Sequence, residues 1–164
     1  MHSVVDLATG EKTYTLRRAV AADVRPIVAL LAADQLGATR EDPDGGDWTA
    51  YERAFAAIDA DPAHLLLAVT TSPGGEVVGT MQLSFLPGLA RRGATRAQIE
   101  AVRVHERHRG GGLGAAMISW AVGEARRRGC ALVQLTSDKR RSDAHRFYTR
   151  LGFTAGHEGF KLAL

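Results

Sequence analysis

The apolar residues of the first sixty positions change from strand spacing to helical spacing. Tyr14 and Leu16 alternate with polar residues, which predicts a strand with one buried face. Behind Asp23, a residue type that favours a helix start, Ile27 and Leu31 recur at helical spacing. Residues 1–12 are expected to be a flexible segment. The elements predicted after it are a strand over 13–20, a helix from Asp23 to near Gly37, a loop over 39–47 and a helix over 48–58.

Strands and helices are predicted to alternate along the rest of the chain. Two apolar runs flank the turn Ser-Pro-Gly-Gly over 72–75, which predicts a hairpin. The remaining predicted elements are strands over 65–71, 76–85, 99–104, 131–136 and 160–164, helices over 113–128 and 142–151, and a basic loop over 87–96. This order predicts one α/β domain over 1–164, a mixed sheet with helices on both faces and a right-handed crossover through the helix over 113–128.

Composition narrows the class of protein further. The 164 residues are 45% apolar and 24% charged, which is typical of a soluble globular domain with a sizeable core. No run approaches the ~18 apolar residues of a membrane span, and residues 1–11 have no apolar signal-peptide core, so a cytoplasmic location is expected. Cys130 is the single cysteine, which excludes an internal disulfide, and no Cys and His cluster has zinc spacing. The net charge of +3 gives a weak preference for an anionic partner.

A glycine-rich stretch connects the strand predicted over 99–104 to the long helix that follows. Arg109 precedes four glycines within five positions, Gly110, Gly111, Gly112 and Gly114. Glycines allow the backbone to approach a ligand closely, and the free N–H groups at a helix start favour a phosphate. The stretch therefore predicts a binding site for a phosphate-bearing cofactor.

Two common phosphate sites fit this stretch poorly. A Walker-type loop needs Lys and Ser or Thr after its last glycine, whereas Gly114 is followed by alanines. A dinucleotide fingerprint is matched by Gly110, Gly112 and Ala115, and Asp138 could contact a ribose. However, residues 105–109 separate the strand from the first glycine, and about ninety residues precede this unit.

Two motifs resemble the Gcn5-related N-acetyltransferases. Val-His-Glu-Arg-His-Arg-Gly-Gly-Gly-Leu-Gly over 104–114 is similar to the acetyl-CoA signature of that family, with Arg109, Gly112 and Gly114 as its core. Ala-His-Arg-Phe-Tyr-Thr-Arg-Leu-Gly-Phe over 144–153 resembles the closing motif of the family. The resemblance covers residues 14–164. It implies a sheet of six to seven strands with a splayed parallel pair, acetyl-CoA as co-substrate and no metal.

The resemblance also implies a set of cofactor-binding residues. The main chain of the strand before the signature would hydrogen-bond the pantetheine arm, and the amides of the glycine turn would hold the pyrophosphate. Arg141 stands where many members have Asn, so Ser142 is an alternative hydrogen-bond donor. The implied cofactor-binding residues are Val102, Arg103, Val104, Arg109, Gly110, Gly111, Gly112, Gly114, Ala115 and Ser142.

Two residues are candidates for proton transfer. Glu100 is an acid within an apolar strand, where burial would raise its pKa, and similar proteins often carry Glu there as the base. Tyr148 matches a phenol that the family often places near the thioester sulfur to protonate the leaving thiolate. The N–H of Val104 would stabilise the oxyanion. Acidic residues, Asp34, Asp42 and Asp44, are expected to attract a cationic amine.

The predicted function is acetyl transfer from acetyl-CoA to a primary amine by direct attack in a ternary complex. A non-catalytic acyl-CoA-binding module is the alternative, and a nucleic-acid-binding role has only the dispersed arginines in its favour. The acceptor is unknown because it would be selected by the loops over 36–48 and 87–96. We expect a small-molecule amine rather than a protein, with neither nucleic acid nor membrane as partner, and a homodimer is left open.

Overall fold

The computed structural model describes residues 4–34 and 38–164. Contacts divide the chain into two compact units, Met1–Gln134 and Leu135–Leu164, which are described separately below. The predicted end of the first helix near Gly37 lies outside the described residues.

Six strands form one mixed sheet in which spatial order follows chain order. The first five strands pair as antiparallel neighbours, and the sixth lies parallel beside the fifth. The strands are β1 (Val5–Thr9), β2 (Lys12–Arg18), β3 (His64–Thr70), β4 (Val77–Leu86), β5 (Arg96–Val104) and β6 (Leu132–Leu135). The predicted hairpin is confirmed, since β3 pairs with β4 across the turn.

Within the first unit, α1 (Val24–Ala32), α2 (Thr49–Ala60) and α4 (Leu113–Arg127) cover both faces of the sheet, as the sequence predicts. A short turn, α3 (Ala90–Gly93), precedes β5, and α5 (Ser142–Arg150) belongs to the C-terminal unit. A Cβ built at Gly79 of β4 would lie 3.4 Å from the sulfur of Met117, so α4 packs on that face. Helices α1 and α2 pack against the strands on the opposite face. These helix positions agree with the periodicity within a few residues.

The main core lies under α4. Leu83 of β4 and Ile99 of β5 are opposite each other in the ladder and are fully buried. Met117 and Ile118 contribute the buried stripe of α4. A smaller apolar cluster under α1 and α2 contains Ala19, Ile27, Leu31, Phe55, Leu66, Ala68 and Val77. Both clusters remove apolar surface from water, which is the main favourable term in folding.

Two predicted segments differ from the structure. The expectation of a flexible segment over 1–12 is wrong from Val5 onward, because Val5 and Leu7 alternate with polar residues and pair with β2 through a two-residue turn. Gly10 adopts φ +59° in that turn. The predicted strand over 160–164 is also wrong, since residues 153–164 contain no helix or strand. Phe160 is 93% exposed, and alternation alone cannot form a strand without a hydrogen-bonded neighbour.

Candidate functional site

A β-bulge interrupts the pairing of β4 with β5. The register changes by one residue between Thr80 and Gln82, so Met81 faces both Ala101 and Val102. Ala101 adopts φ +53°, a left-handed conformation that is uncommon for a residue with a Cβ. Bulges leave main-chain groups unpaired and re-aim side chains, and strained residues cluster at functional sites. The bulge therefore marks this part of β5 as the candidate site.

The bulge changes which side chains share a face of β5. Glu100 lies opposite Gln82 and Arg103 lies opposite Thr80. Opposed residues point to the same face, and Thr80 and Gln82 share a face because they are two apart on β4. Glu100 and Arg103 therefore lie on one face although they are three residues apart. In an unbroken strand they would point to opposite faces.

The end of β5 has one edge that points away from β4. The amide of His105 donates to the carbonyl of Val78 on β4 at 2.8 Å. Successive N–H groups along a strand alternate in direction, so the N–H of Val104 points to the other side. On that side β6 begins beside the start of β5, where the amide of Ala131 donates to the carbonyl of Thr95 at 2.8 Å. Because β6 ends at Leu135, it does not extend along β5 as far as residues 102–104. Val104 thus presents its N–H on the side away from β4, and a contact of residues 102–104 with a cofactor stays a prediction.

A 3₁₀ turn (Glu106–His108) connects β5 to the glycines. The backbone closes it through two bonds, His108 N to His105 O (2.9 Å) and Arg109 N to Glu106 O (3.2 Å). Arg109 Nε donates to the carbonyl of Val104 at 2.9 Å, so this side chain ties the turn back to the end of β5. This contact gives Arg109 a structural role, and its contact with phosphate stays a prediction.

Backbone conformation, rather than lack of space, requires two of these glycines. Gly110 and Gly112 adopt φ +79° and +87°, and a Cβ built at any of residues 110–112 would meet no protein atom within 4 Å. The first intrahelical bond of α4 runs from Ala116 N to Gly112 O (3.0 Å). The N–H groups of residues 113–115 therefore have no carbonyl partner within the helix. Exposed glycines and free helical amides form a cradle that suits a pyrophosphate.

A buried phenol on β2 holds the turn from the side. Tyr14 is 4% exposed, and its hydroxyl lies 3.0 Å from Nδ1 of His108. The two rings also pack edge to face, with centroids 5.6 Å apart. The sequence predicts Tyr14 on the buried face of a strand but gives no sign of its contact with His108. No sequence signal joins residues 94 positions apart.

The structure changes the arguments for the acidic residues. Glu100 lies on β5 as predicted, but its predicted burial is wrong because the side chain is exposed. Burial therefore gives Glu100 no advantage as a base. Asp34, which follows α1, forms an ion pair with Arg103 at 2.9 Å, so its charge is balanced within the protein. Asp42 and Asp44 lie in the loop before α2.

Tyr148 belongs to the C-terminal unit and lies on α5. Its half-buried ring packs edge to face on Phe147 (5.1 Å) and Phe153 (5.9 Å). Nε2 of His145 lies 2.9 Å from the carbonyl oxygen of Asp138, so that imidazole is used within the unit. The predicted ligand Ser142 is the exposed first residue of α5.

Two further observations concern the described part of the chain only. Residues 4–34 and 38–164 contain no group of three or more His, Cys, Asp or Glu side chains arranged to hold a metal ion. Within the same ranges, no helix has the length and apolar character needed to cross a membrane.

Comparison with known proteins agrees with this geometry. The model of the acetyltransferase (GNAT) family matches residues 28–153. A curated relative, the aminoalkylphosphonate N-acetyltransferase of Salmonella typhimurium, is 36% identical over 119 residues, which are 72% of this chain and 75% of the relative.

Solved structures share the fold. A protein from Bacillus halodurans C-125, described as a transcriptional regulator, is 42% identical with a TM-score of 0.87, and the match covers 92% of this chain and 99% of that one. An acetyltransferase from Trypanosoma brucei is 28% identical with a TM-score of 0.74, covering 92% and 99%. The fold is thus that of an acetyltransferase. The chain belongs to the GNAT family.

Proposed function

We propose that this protein transfers an acetyl group from acetyl-CoA to the primary amine of a small molecule that also carries an anionic group. The observation that carries the proposal is the end of β5, which passes from the bulge at Ala101 into the glycine cradle of α4. An open strand edge next to a phosphate site suits an acyl carrier whose extended amide arm ends in a pyrophosphate.

Main-chain groups would hold the co-substrate. The outward N–H of Val104 and the main chain of Val102 would bond the pantetheine arm as a neighbouring strand would. By the same alternation, the main chain of Arg103, which lies opposite Thr80, points toward β4 rather than toward a ligand. The amides of the glycine turn and of Gly114 and Ala115 would bind the pyrophosphate. The empty space beside residues 110–112 fits this role, since no protein side chain competes for it.

The chemistry follows from one nucleophilic attack. The amine nitrogen forms a bond to the thioester carbonyl carbon, and the C–S bond breaks to give an acetamide and the CoA thiolate. Glu100 accepts the proton of the amine, directly or through water, and Tyr148 donates a proton to the thiolate. The outward N–H of Val104 stabilises the oxyanion of the tetrahedral intermediate. Exposure of Glu100 supports this role, because a base must be reachable by substrate.

The acceptor class is supported by the Salmonella typhimurium relative, whose name assigns it aminoalkylphosphonates. The test is an acceptor panel at saturating acetyl-CoA, read by release of the free thiol. The panel contains 2-aminoethylphosphonate, n-propylamine, an amino acid, an aminoglycoside and a peptide with a free N-terminus. We expect the highest kcat/KM with 2-aminoethylphosphonate. Faster turnover of the peptide or the aminoglycoside would contradict the proposed class.

A second candidate is a non-catalytic acyl-CoA-binding module. One observation favours it: the 42% identical Bacillus halodurans protein is described as a transcriptional regulator rather than as an enzyme. Such a module needs the glycine cradle but neither Glu100 nor Tyr148. Tight CoA binding by calorimetry without thiol release for any amine of the panel would support it over the enzyme.

A further inference from the structure

A row of polar side chains crosses four neighbouring strands of the sheet. His64 on β3 lies opposite Ser84 on β4, and Ser84 lies opposite Gln98 on β5. Opposed residues share a face, so these three side chains lie on the same face. Gln134 on β6 extends the row, because its Nε2 donates to Oε1 of Gln98 at 2.7 Å. These four residues are called the polar row below.

The polar row is held by bonds between side chains. Nδ1 of His64 lies 2.8 Å from Oγ of Ser84, which is only 5% exposed. On the same face, Leu66 and Ala68 belong to the apolar cluster under α1 and α2, whereas Gln82 and Thr80 opposite them are polar. Bonds between side chains are a minority in proteins, and each adds only about 1 kcal/mol net to stability.

Opposite charges flank the polar row on β5. Arg96, Gln98 and Glu100 lie opposite Leu86, Ser84 and Gln82, so all three share one face. Both Arg96 and Glu100 are exposed. At about 3.4 Å per residue, each lies roughly 7 Å along the strand from Gln98. A cation, an amide and a carboxylate thus follow one another along a single strand.

The side-chain amide of Gln98 has donors that the bond with Gln134 does not use. Its Oε1 accepts that bond, and its own Nε2 takes no part in it. A side-chain amide has two N–H donors, and the guanidinium of Arg96 has five in a planar fork. A phosphonate offers three acceptor oxygens and a negative charge, which match such donors. A primary ammonium matches the carboxylate of Glu100.

We propose that Arg96 and Gln98, with the polar row behind them, bind the anionic group of the acceptor while its amine faces Glu100. The inference rests on the proposed function and names the residues that select the acceptor. A short aminoalkylphosphonate has its two charged ends only a few bonds apart. We therefore place it along β5 with its amine at Glu100 and its anionic group at Gln98, within reach of the long side chain of Arg96.

The test compares two acceptors in three variants, at saturating acetyl-CoA. Arg96→Gln removes the charge, and Gln98→Met removes the amide at nearly constant length. Arg126→Gln removes an exposed charge at the end of α4 and is the matched control. Arg96→Gln and Gln98→Met each remove a hydrogen bond to a charged group. We therefore expect each to raise the KM for 2-aminoethylphosphonate tenfold or more. The KM values for n-propylamine and acetyl-CoA should stay within about twofold, and Arg126→Gln should behave as wild type.

Each other outcome overturns the inference. An equal increase in KM for both amines would assign the polar row a structural role. An equal increase in KM in Arg126→Gln would indicate a general effect of net charge. Wild-type turnover of n-propylamine with no preference for 2-aminoethylphosphonate would leave the acetyltransferase function standing and refute this site. Absence of thiol release with both amines would refute the proposed function as well. If Gln98→Met does not fold, Arg96→Gln decides alone, because Arg96 is exposed.

Discussion

The hydroxyl of Tyr14 and Nδ1 of His108 lie 3.0 Å apart and join β2 to the turn before the glycine cradle. The phenol is buried and belongs to a paired strand, so its position is fixed by the core. His108 lies in a short 3₁₀ turn, which by itself is a weak structure. The contact therefore holds a weak segment to a rigid one, immediately before the residues that would bind the pyrophosphate.

Tyr14→Phe should weaken the binding of CoA. The substitution keeps the ring but removes the hydroxyl, which costs about 1 kcal/mol in unfolding free energy and leaves the turn less fixed. A loss of similar size in binding corresponds to a roughly fivefold increase in the Kd of CoA by calorimetry. His108→Ala should give the same change, and the double variant should be no worse than either single one.

Tyr51→Phe is the matched control for this pair. Its hydroxyl accepts the amide of Asp42 and donates to Glu41 in the loop before α2, so the chemistry removed is the same. We expect this variant to bind CoA with wild-type affinity. Equal effects of Tyr14→Phe and Tyr51→Phe would show that the contact with His108 does not position the cradle.

Substitutions at Ala101 should reveal the strain at the bulge. A left-handed conformation costs a residue with a Cβ about 1–2 kcal/mol, whereas glycine adopts it freely. Ala101→Gly should therefore be as stable as wild type or up to about 1 kcal/mol more stable, and Ala101→Val should be clearly less stable. Urea unfolding measures both.

Ala97→Gly provides the comparison on the same strand. Ala97 is fully buried and lies opposite Phe85 in the regular ladder before the bulge. Glycine there should cost about 1 kcal/mol, since it adds backbone entropy and removes a packed methyl group. Equal destabilisation by glycine at both positions would contradict the strain at Ala101.

Glu100→Gln should lower kcat about 100-fold or more and leave the Kd of CoA within about twofold. The amide cannot accept the proton of the amine, but it does not contact the proposed cofactor groups. Glu106→Gln removes an exposed carboxylate from the nearby turn and should keep wild-type kcat. Wild-type kcat in Glu100→Gln with every accepted amine would exclude Glu100 as the base.

Tyr148→Phe should also lower kcat without weakening CoA binding. The phenol is the proposed proton donor to the thiolate, a contribution of about 100-fold or more. The ring contacts with Phe147 and Phe153 persist in the variant, so the C-terminal unit should keep its packing. A thioester with a more acidic thiol should narrow the difference from wild type. Equal differences for both thioesters would contradict the role of Tyr148 as acid.

The Arg17 and Asp23 pair should contribute a pH-dependent part of the stability. Burial raises the pKa of Asp23, but hydrogen bonds from the Arg17 guanidinium (2.6 Å) and from the Val20 amide (2.7 Å) outweigh it and hold the pKa below its usual value. A lowered folded-state pKa stabilises the protein above the unfolded pKa of about 3.9, and that stability is lost as pH falls through the folded value.

Asp23→Asn should therefore flatten the acid limb of the stability curve. The free energy of unfolding of wild type should fall more steeply below pH 4 than that of the variant, as measured by urea unfolding from pH 7 to pH 2.5. Asp59→Asn removes a half-exposed partner of Arg18 and should follow the wild-type curve, since exposed pairs contribute little. Parallel curves for wild type and Asp23→Asn would refute the linkage.

Most helices and strands were predictable because their signals are local. The buried stripe of α4, with Leu113, Met117 and Ala121, has the 3.6-residue period of a helix. Val5 and Leu7 alternate with polar residues and are followed by Gly10, which together predict a hairpin with β2. The expectation of a flexible segment was wrong because it passed over this short pattern. Residues 160–164 show the reverse error, because alternation does not supply the pairing partner that a strand needs.

The candidate site was predictable only in part. The glycine turn follows from composition, since Gly110 and Gly112 have conformations that other residues rarely adopt. The exposure of Glu100 could not be read from its apolar neighbours, because burial depends on what packs over the strand. No residue type in the sequence marks the bulge at Ala101. It is visible only in the pairing of β5 with Met81 of β4.

The sequence by itself determined the element types, the phosphate-binding turn and the family, because glycine positions and apolar periodicity act over a few residues. The tertiary structure decided which residues share a face and which distant groups meet. One extra residue in β5 places Glu100 and Arg103 on the same face, and strand pairing aligns His64, Ser84 and Gln98. These relationships depend on register between strands, and register is a property of the folded sheet rather than of any one segment.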